Sequence, residues 1–227
     1  MSKNPMLKLT TSSGVPIAEI PASIRSTLSS FMARVELSDH ELPSSIAMTS
    51  KLSGEGVSFM SAALATAMAI DLGRSVCLVD ANFWSEPDEL SQLNDGFVGL
   101  LRGEADEDDL AIATNIESFD IVVRGHGAET SPALVSSSDR LTEAINMLSE
   151  RYDTVVLDLP ALEVSPGAIR ASGSTDGVVL VARHASVRVD QIEQAVEDLA
   201  EAKILGVLLN DFALKTPGII RRRILDR

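Results

Sequence analysis

Between Met48 and Phe59 the sequence reads Met-Thr-Ser-Lys-Leu-Ser-Gly-Glu-Gly-Val-Ser-Phe, a glycine-bearing loop set between a short apolar run and a long helical stretch. Gly54 and Gly56 let backbone N–H groups turn inward. A helix starting just behind them adds free amides and the positive end of its dipole, and together these suit a polyphosphate. Against the phosphate-loop pattern G-x-x-x-x-G-K-[S/T], Gly56 and Ser58 agree, but Lys51 stands at the first glycine and Val57 at the lysine. Two aspartates strengthen this reading. Asp80 closes the run Cys77-Leu-Val-Asp80 and Asp158 closes Val155-Val-Leu-Asp158. Carboxyl ends of parallel strands are where open α/β sheets bind ligands. With the Ser58 hydroxyl, Asp80 and Asp158 would hold Mg²⁺ directly or through water. Either aspartate alone reads equally well as a strand-end cap; their joint placement with the loop favours a site.

These residues need a scaffold, and the chain offers one. Apolar runs recur at 45–49, 76–79, 119–123, 154–157, 178–182 and 205–209, most of them continuous rather than alternating. Continuous runs mark strands covered on both faces. Helical stretches lie between them at 58–72, 138–151 and 187–202. In the last, Val189, Ile192, Val196 and Leu199 share one face. Strands alternating with helices predict an α/β fold: a doubly wound, mainly parallel sheet with helices on both faces. Residues 1–40 form an N-terminal arm, a polar, Ser-rich lead followed by Ile24, Leu28, Phe31 and Met32 at docking-helix spacing; residues 41–214 form the main domain and 215–227 a basic C-terminal tail.

The 227 residues, 45% hydrophobic and 23% charged, are enough for one buried core, which excludes wholesale disorder. A net charge of −14 opposes nucleic-acid binding over most of the surface. Eleven acids against Arg102 alone put −10 of that charge between Glu86 and Asp120, while the tail from Lys215 is basic. The acidic cluster from Glu104 to Asp109 is most simply a solvated loop. One cysteine, Cys77, and the lack of a charged-then-apolar leader favour a cytoplasmic placement. No apolar stretch is long enough to span a bilayer, so any membrane link would run through a partner or a tail. The tail's isoleucines and Leu225 do not gather on one helical face, so a terminal helix half-packed on the domain is favoured over a membrane-binding one.

Several motifs in order resemble the bacterial tyrosine kinase family of capsule and exopolysaccharide synthesis, within the MinD/ParA-like deviant P-loop ATPases. Ser50-Lys-Leu-Ser-Gly-Glu-Gly-Val-Ser58 is similar to that family's S-x-x-P-G-E-G-K-S loop. Leu78-Val-Asp-Ala-Asn82 follows its D-A-D strand end, and Asp158-Leu-Pro160 its D-x-P-P strand end. Leu100–Glu104, Ser131–Ser136 and Leu205–Asn210 extend the resemblance over about residues 45 to 212. It implies ATP or ADP with Mg²⁺ as cofactor. Nucleotide would contact Lys51, Ser53, Gly54, Glu55, Gly56, Val57, Ser58, Phe59 and Asn210; the metal would contact Ser58, Asp80 and Asp158, and Asp80 would be catalytic in an active enzyme. It also implies a membrane polysaccharide co-polymerase or a kinase paralogue as partner, and allows a homo-oligomer held peripherally at the inner face of the membrane.

The departures bear on mechanism. Val57 offers neither charge nor donor where the family's lysine meets the β- and γ-phosphates, and Asn82 removes a second acid near the metal. The tail carries no tyrosine, Tyr152 being the only one in the chain, and the family's E-x-x-R-x-x-R assembly motif is only partly echoed by Glu19, Ala22 and Arg25. These losses predict a catalytically weakened, nucleotide-binding regulatory component. The alternative is a MinD/ParA-like ATPase or pseudo-ATPase that scaffolds localisation. Lys51 reads as a solvated loop lysine or as a substitute cation. Asn210 reads as an adenine contact or a strand-end cap. Phe83 and Trp84 read as packing over the sheet end, His126 and His184 as turn residues, and Cys77 as a buried small hydrophobe.

Overall fold

A computed structural model describes residues 5–105, 109–128 and 138–211. The Ser131–Ser136 motif, part of the acidic cluster and the tail from 215 onward lie outside the described residues. Among the described residues the centre is a seven-stranded sheet in the order β5-β6-β4-β7-β3-β8-β9. The strands are β3 (Ser45–Ser50), β4 (Val76–Asp80), β5 (Ile112–Ala113), β6 (Phe119–Val122), β7 (Thr154–Asp158), β8 (Gly177–Arg183) and β9 (Ile204–Asn210). Every pairing in it is parallel except that of β5 with β6, which is antiparallel. The doubly wound, mainly parallel α/β sheet expected from the six apolar runs is present.

Side chains of successive strand residues point to opposite faces, and the sheet divides its core accordingly. Ile46, Met48, Leu78, Val156, Val179 and Val181 face one side, with helices α1 (Ala22–Asp39) and α2 (Val57–Asp71). Ala47, Cys77, Val79, Val155, Leu157, Val178 and Leu180 face the other. There they meet α3 (Gly96–Arg102), α4 (Ser138–Arg151), α5 (Pro166–Gly173) and α6 (Val189–Asp198). Helix α2 is buried from Met60 to Ala69 because the sheet covers one flank and α1 another. Five alanines among its fifteen residues allow that close approach.

The N-terminal arm departs from its expectation. The docking helix is there, with Leu28, Met32 and Val35 buried on α2. The polar lead, however, folds into an antiparallel hairpin, β1 (Met6–Thr10) with β2 (Pro16–Pro21). Leu9 and Ile20 close it onto the α2 face of the core. The side chain of Asn115 stitches it to the β5–β6 turn, accepting from Thr10 N at 3.0 Å and donating to Lys8 O at 2.9 Å.

Candidate nucleotide site

Pleating determines which strand-end groups meet. Asp80 lies two residues after Leu78 and Asp158 two after Val156, so both fall on the α2 face, and β4 and β7 place them side by side in register. The first turn of α2, which carries Ser58 and Ser61, faces them. Asp158 is buried, with Oδ1 3.5 Å from the Ser61 hydroxyl. Burial first, and then the Asp80 charge, push the Asp158 carboxyl well above the ordinary aspartate range, while the Ser58 and Ser61 hydroxyls oppose the shift. Burial also raises Asp80, against the opposing charge of Arg124.

The loop before α2 keeps its shape by bonds within the protein. Gly54 and Gly56 have φ of 78° and 89°, the left-handed region that glycine enters without strain. The Glu55 carboxylate is buried and accepts from Arg183 N on β8 at 3.3 Å. Asn210, at the end of β9, donates to Glu55 O at 2.9 Å, and Ser53 N donates to Glu163 Oε1 at 2.9 Å. Helix α2 has no side-chain cap at its N-terminus. Its first amides therefore keep the orphan donors of a helix start, facing a cleft of about 480 Å³. The loop, Val57, Asn82, Trp84 and the Leu159–Ala161 segment line this cleft. A second cleft of about 320 Å³ shares Ser58, Phe59 and Ser85 with it and holds Asp80, Asp158 and Arg124.

Thus Ser53, Gly54, Glu55, Gly56, Val57, Ser58 and Phe59 gather around one cleft, with Asp80 and Asp158 in the next. Two residues of the expected nucleotide set do not line these clefts. Lys51 turns away to pair with Asp198 at 2.8 Å, beneath the end of α6, and is partly buried there. Asn210 spends its amide on Glu55 O and its Oδ1 on Asp211 N, so it braces the loop. Phe83 packs into the core edge-on to Phe97, while Trp84 is exposed at the cleft rim.

Sequence reasoning missed the most consequential group. Arg124 is buried, with Nε 2.8 Å from Asp80 Oδ2. Its signal was an arginine directly after the apolar run that ends at Val123, beside the strand of Asp80. Mg²⁺ was expected on Ser58, Asp80 and Asp158. Asp80 instead meets a guanidinium through one carboxylate oxygen and Asn82 N, at 3.1 Å, through the other. Mg²⁺ is ordinarily held by one or two carboxylates, with water and phosphate completing its octahedron, and a fixed cation on Asp80 opposes a second one at that carboxylate. Asp80 as arranged, with Arg124 on Oδ2, does not fit the ion.

The raised Asp158 has a consequence for stability. The folded chain holds this proton more tightly than the unfolded chain, so the contribution of Asp158 to stability is fully present below the ordinary aspartate range and is lost as pH rises through the folded-state value. Asp158→Asn, which keeps an acceptor for Ser61 without the charge, should raise stability by more than about 1 kcal/mol at about pH 9, or roughly 2–4 °C in Tm. Near about pH 4 the two proteins should melt together. Thermal melts at both pH values check this, and an equal difference at the two would refute it.

A glycine loop running from a central parallel strand into a buried helix, with aspartates closing two neighbouring strands, gives this chain the fold of the MinD-like P-loop proteins. MinD from Pyrococcus horikoshii, complexed with Mg-ADP, superposes at TM-score 0.61 and 23% identity over 79% of this chain and 76% of that one. No protein-family model matches. The chain is similar in sequence to bacterial tyrosine-protein kinases. It is 28% identical over 173 residues to tyrosine-protein kinase CpsD of Streptococcus agalactiae, covering 73% of this chain and 74% of that protein. It is 32% identical over 129 residues to tyrosine-protein kinase wzc of Salmonella typhimurium, covering 55% of this chain but only 17% of that protein. Among solved structures the chimerical protein CapA2B2 matches at TM-score 0.73 and 25% identity, covering 82% of this chain and 84% of that one. Among the described residues no helix is long and apolar enough to cross a membrane.

Proposed function

We propose that this protein is a nucleotide-binding regulatory component of capsule or exopolysaccharide synthesis that has lost most or all phosphoryl transfer. The observation that carries the reading is the cleft itself. It is bordered by the glycine loop and the uncapped start of α2, yet its wall at the lysine position is Val57, and the nearby Lys51 is committed to Asp198. Phosphoryl transfer depends on positioning and on neutralising the charge of the transferred group. Losing one preorganised donor to such charge costs about 2.7–4 kcal/mol elsewhere, or roughly a hundredfold to a thousandfold in rate. Binding depends less on that lysine, because backbone amides and the helix terminus also hold phosphate. The ligand in this reading is ATP or ADP. The protein acts in the cytoplasm, at the inner face of the membrane, through a polysaccharide co-polymerase or an active kinase paralogue.

One observation favours the scaffold alternative within the same fold. The sole tyrosine, Tyr152, donates to Asp120 Oδ2 at 2.8 Å beside strand β7. Burial and that bond to a carboxylate push its phenol further up, so it is a poor phosphate acceptor. Titration with a fluorescent ADP and with ATP, alongside phosphotyrosine blotting and phosphate release, tests both readings. Saturable binding with no phosphotyrosine and little phosphate release is expected. No binding up to millimolar nucleotide would overturn the proposal, and phosphotyrosine on this chain would overturn its pseudoenzyme part.

A further inference from the structure

Arg124 is placed with unusual completeness for a side chain outside any recognised motif. Its side chain is 5% exposed. Besides the Asp80 contact, Nη1 donates to Asn82 O at 3.1 Å and to Ser85 O at 2.6 Å, and Nη2 donates to Glu86 O at 3.0 Å. Asp88 lies 4.0 Å from Nη2. The guanidinium therefore ties the Asp80 carboxylate to the backbone of the segment that follows β4. Its own backbone is fixed as well. Val98 N, in the first turn of α3, donates to Arg124 O at 2.9 Å, and Gly125 N donates to Ser91 O at 3.1 Å.

The charges around this cleft give that geometry a meaning. Asp80, Asp158, Glu86 and Asp88 line it, and Arg124 is the basic residue lining it. Of these, Asp80 and Asp158 lie side by side at the ends of β4 and β7, and two such neighbouring carboxyl groups call for a compensating cation. An arginine side chain does not lose its proton in the physiological range, and its fork suits a carboxylate. A metal ion arriving at Asp80 Oδ2 would have to displace a buried partner and leave that charge uncompensated, which is the costly way to break a buried pair.

We propose that the Arg124 guanidinium stands in for the divalent cation at Asp80, so that the apo protein does not bind Mg²⁺ there and nucleotide binds without requiring it. The nucleotide half of this inference rests on the function proposed above; the metal half does not. Arg124 acts as a charge-compensating residue, not as a catalytic one.

Two measurements decide it. In the first, Mn²⁺ is titrated into nucleotide-free protein and followed by electron paramagnetic resonance. Wild type and Arg124→Lys, which keeps the charge, should bind none below millimolar, whereas Arg124→Gln should acquire a site. In the second, fluorescent ADP is titrated with excess Mg²⁺ and with EDTA. Wild-type affinities should agree within about threefold, and Arg124→Gln should gain about tenfold or more from Mg²⁺. Submillimolar Mn²⁺ binding by wild type, or a Mg²⁺ enhancement of wild-type affinity of about tenfold or more, overturns the inference. A folded Arg124→Gln that gains no Mn²⁺ site also overturns it. If Arg124→Gln does not fold, the wild-type titrations still decide. If fluorescent ADP binds under neither condition, the function reading fails and the Mn²⁺ titration alone judges the role of Arg124.

Discussion

Gly125→Ala is expected to destabilise the protein by more than about 3 kcal/mol, a Tm loss of roughly 6–12 °C for a domain of this size. Gly125 has a φ of 88°, where an L-residue with a Cβ is strained by about 1–2 kcal/mol. The added carbon would also lie 1.9 Å from the carbonyl oxygen of Asp95 and 2.4 Å from its carbonyl carbon. Those atoms are backbone, so no rotamer change relieves the overlap. The opposing strand of chain is equally tight, since a Cβ on Gly96 would lie 2.2 Å from Val123 O. The two glycines let the start of α3 press against the segment after β6. Phe97 N donates there to Val123 O at 2.7 Å. With total stabilities of about 5–15 kcal/mol common for single domains, such a loss is a large fraction. Because the same contact seats Arg124, the variant should also show weakened metal exclusion at Asp80. Calorimetric melts and the Mn²⁺ titration check the two halves. An unchanged Tm would mean that this crossing is loose.

The sequence exposed the sheet better than it exposed the site. Continuous apolar runs such as Val178–Ala182 are legible because both faces of the strand are covered, so nearly every residue is apolar. The hairpin β1–β2 escaped notice for the opposite reason. Its strands have Leu9 and Ile20 buried among polar and exposed neighbours, and its pairing is completed by Asn115, about a hundred residues away. The short helices α3 and α5 offer too few turns for a periodic signal. At the site, motif spacing located Gly54, Gly56, Ser58, Asp80 and Asp158, because loop and strand ends are close in the chain or fixed by the parallel register. The partners of the charges were not legible. Asp198 on Lys51, Glu163 on Ser53 and Arg124 on Asp80 are all tertiary pairings. Arg124 lies beyond the end of β6, where the pleat no longer dictates side-chain direction.

Restoring a lysine at Val57 should separate nucleotide affinity from phosphoryl transfer. Val57 opens α2, is 8% exposed and borders the cleft, so a lysine there can run its stem past the loop and place its ammonium among bound phosphates. A charge-assisted hydrogen bond is worth about 1.5–3 kcal/mol, so ATP affinity should rise by roughly tenfold to a hundredfold or slightly more. Without nucleotide the new charge sits at the positive end of the α2 dipole, an unfavourable placement worth about 0.3–1 kcal/mol. Apo Val57→Lys should therefore melt about 1–4 °C lower than wild type, and saturating ATP should more than reverse that loss. Phosphoryl transfer should not return with the lysine, because Asn82 still stands where an acid is missing and Arg124 still holds Asp80. Tighter binding without phosphate release would show that more than the lysine separates this chain from catalysis. Turnover in Val57→Lys alone would place the whole deficit at residue 57 and would contradict the role assigned to Arg124.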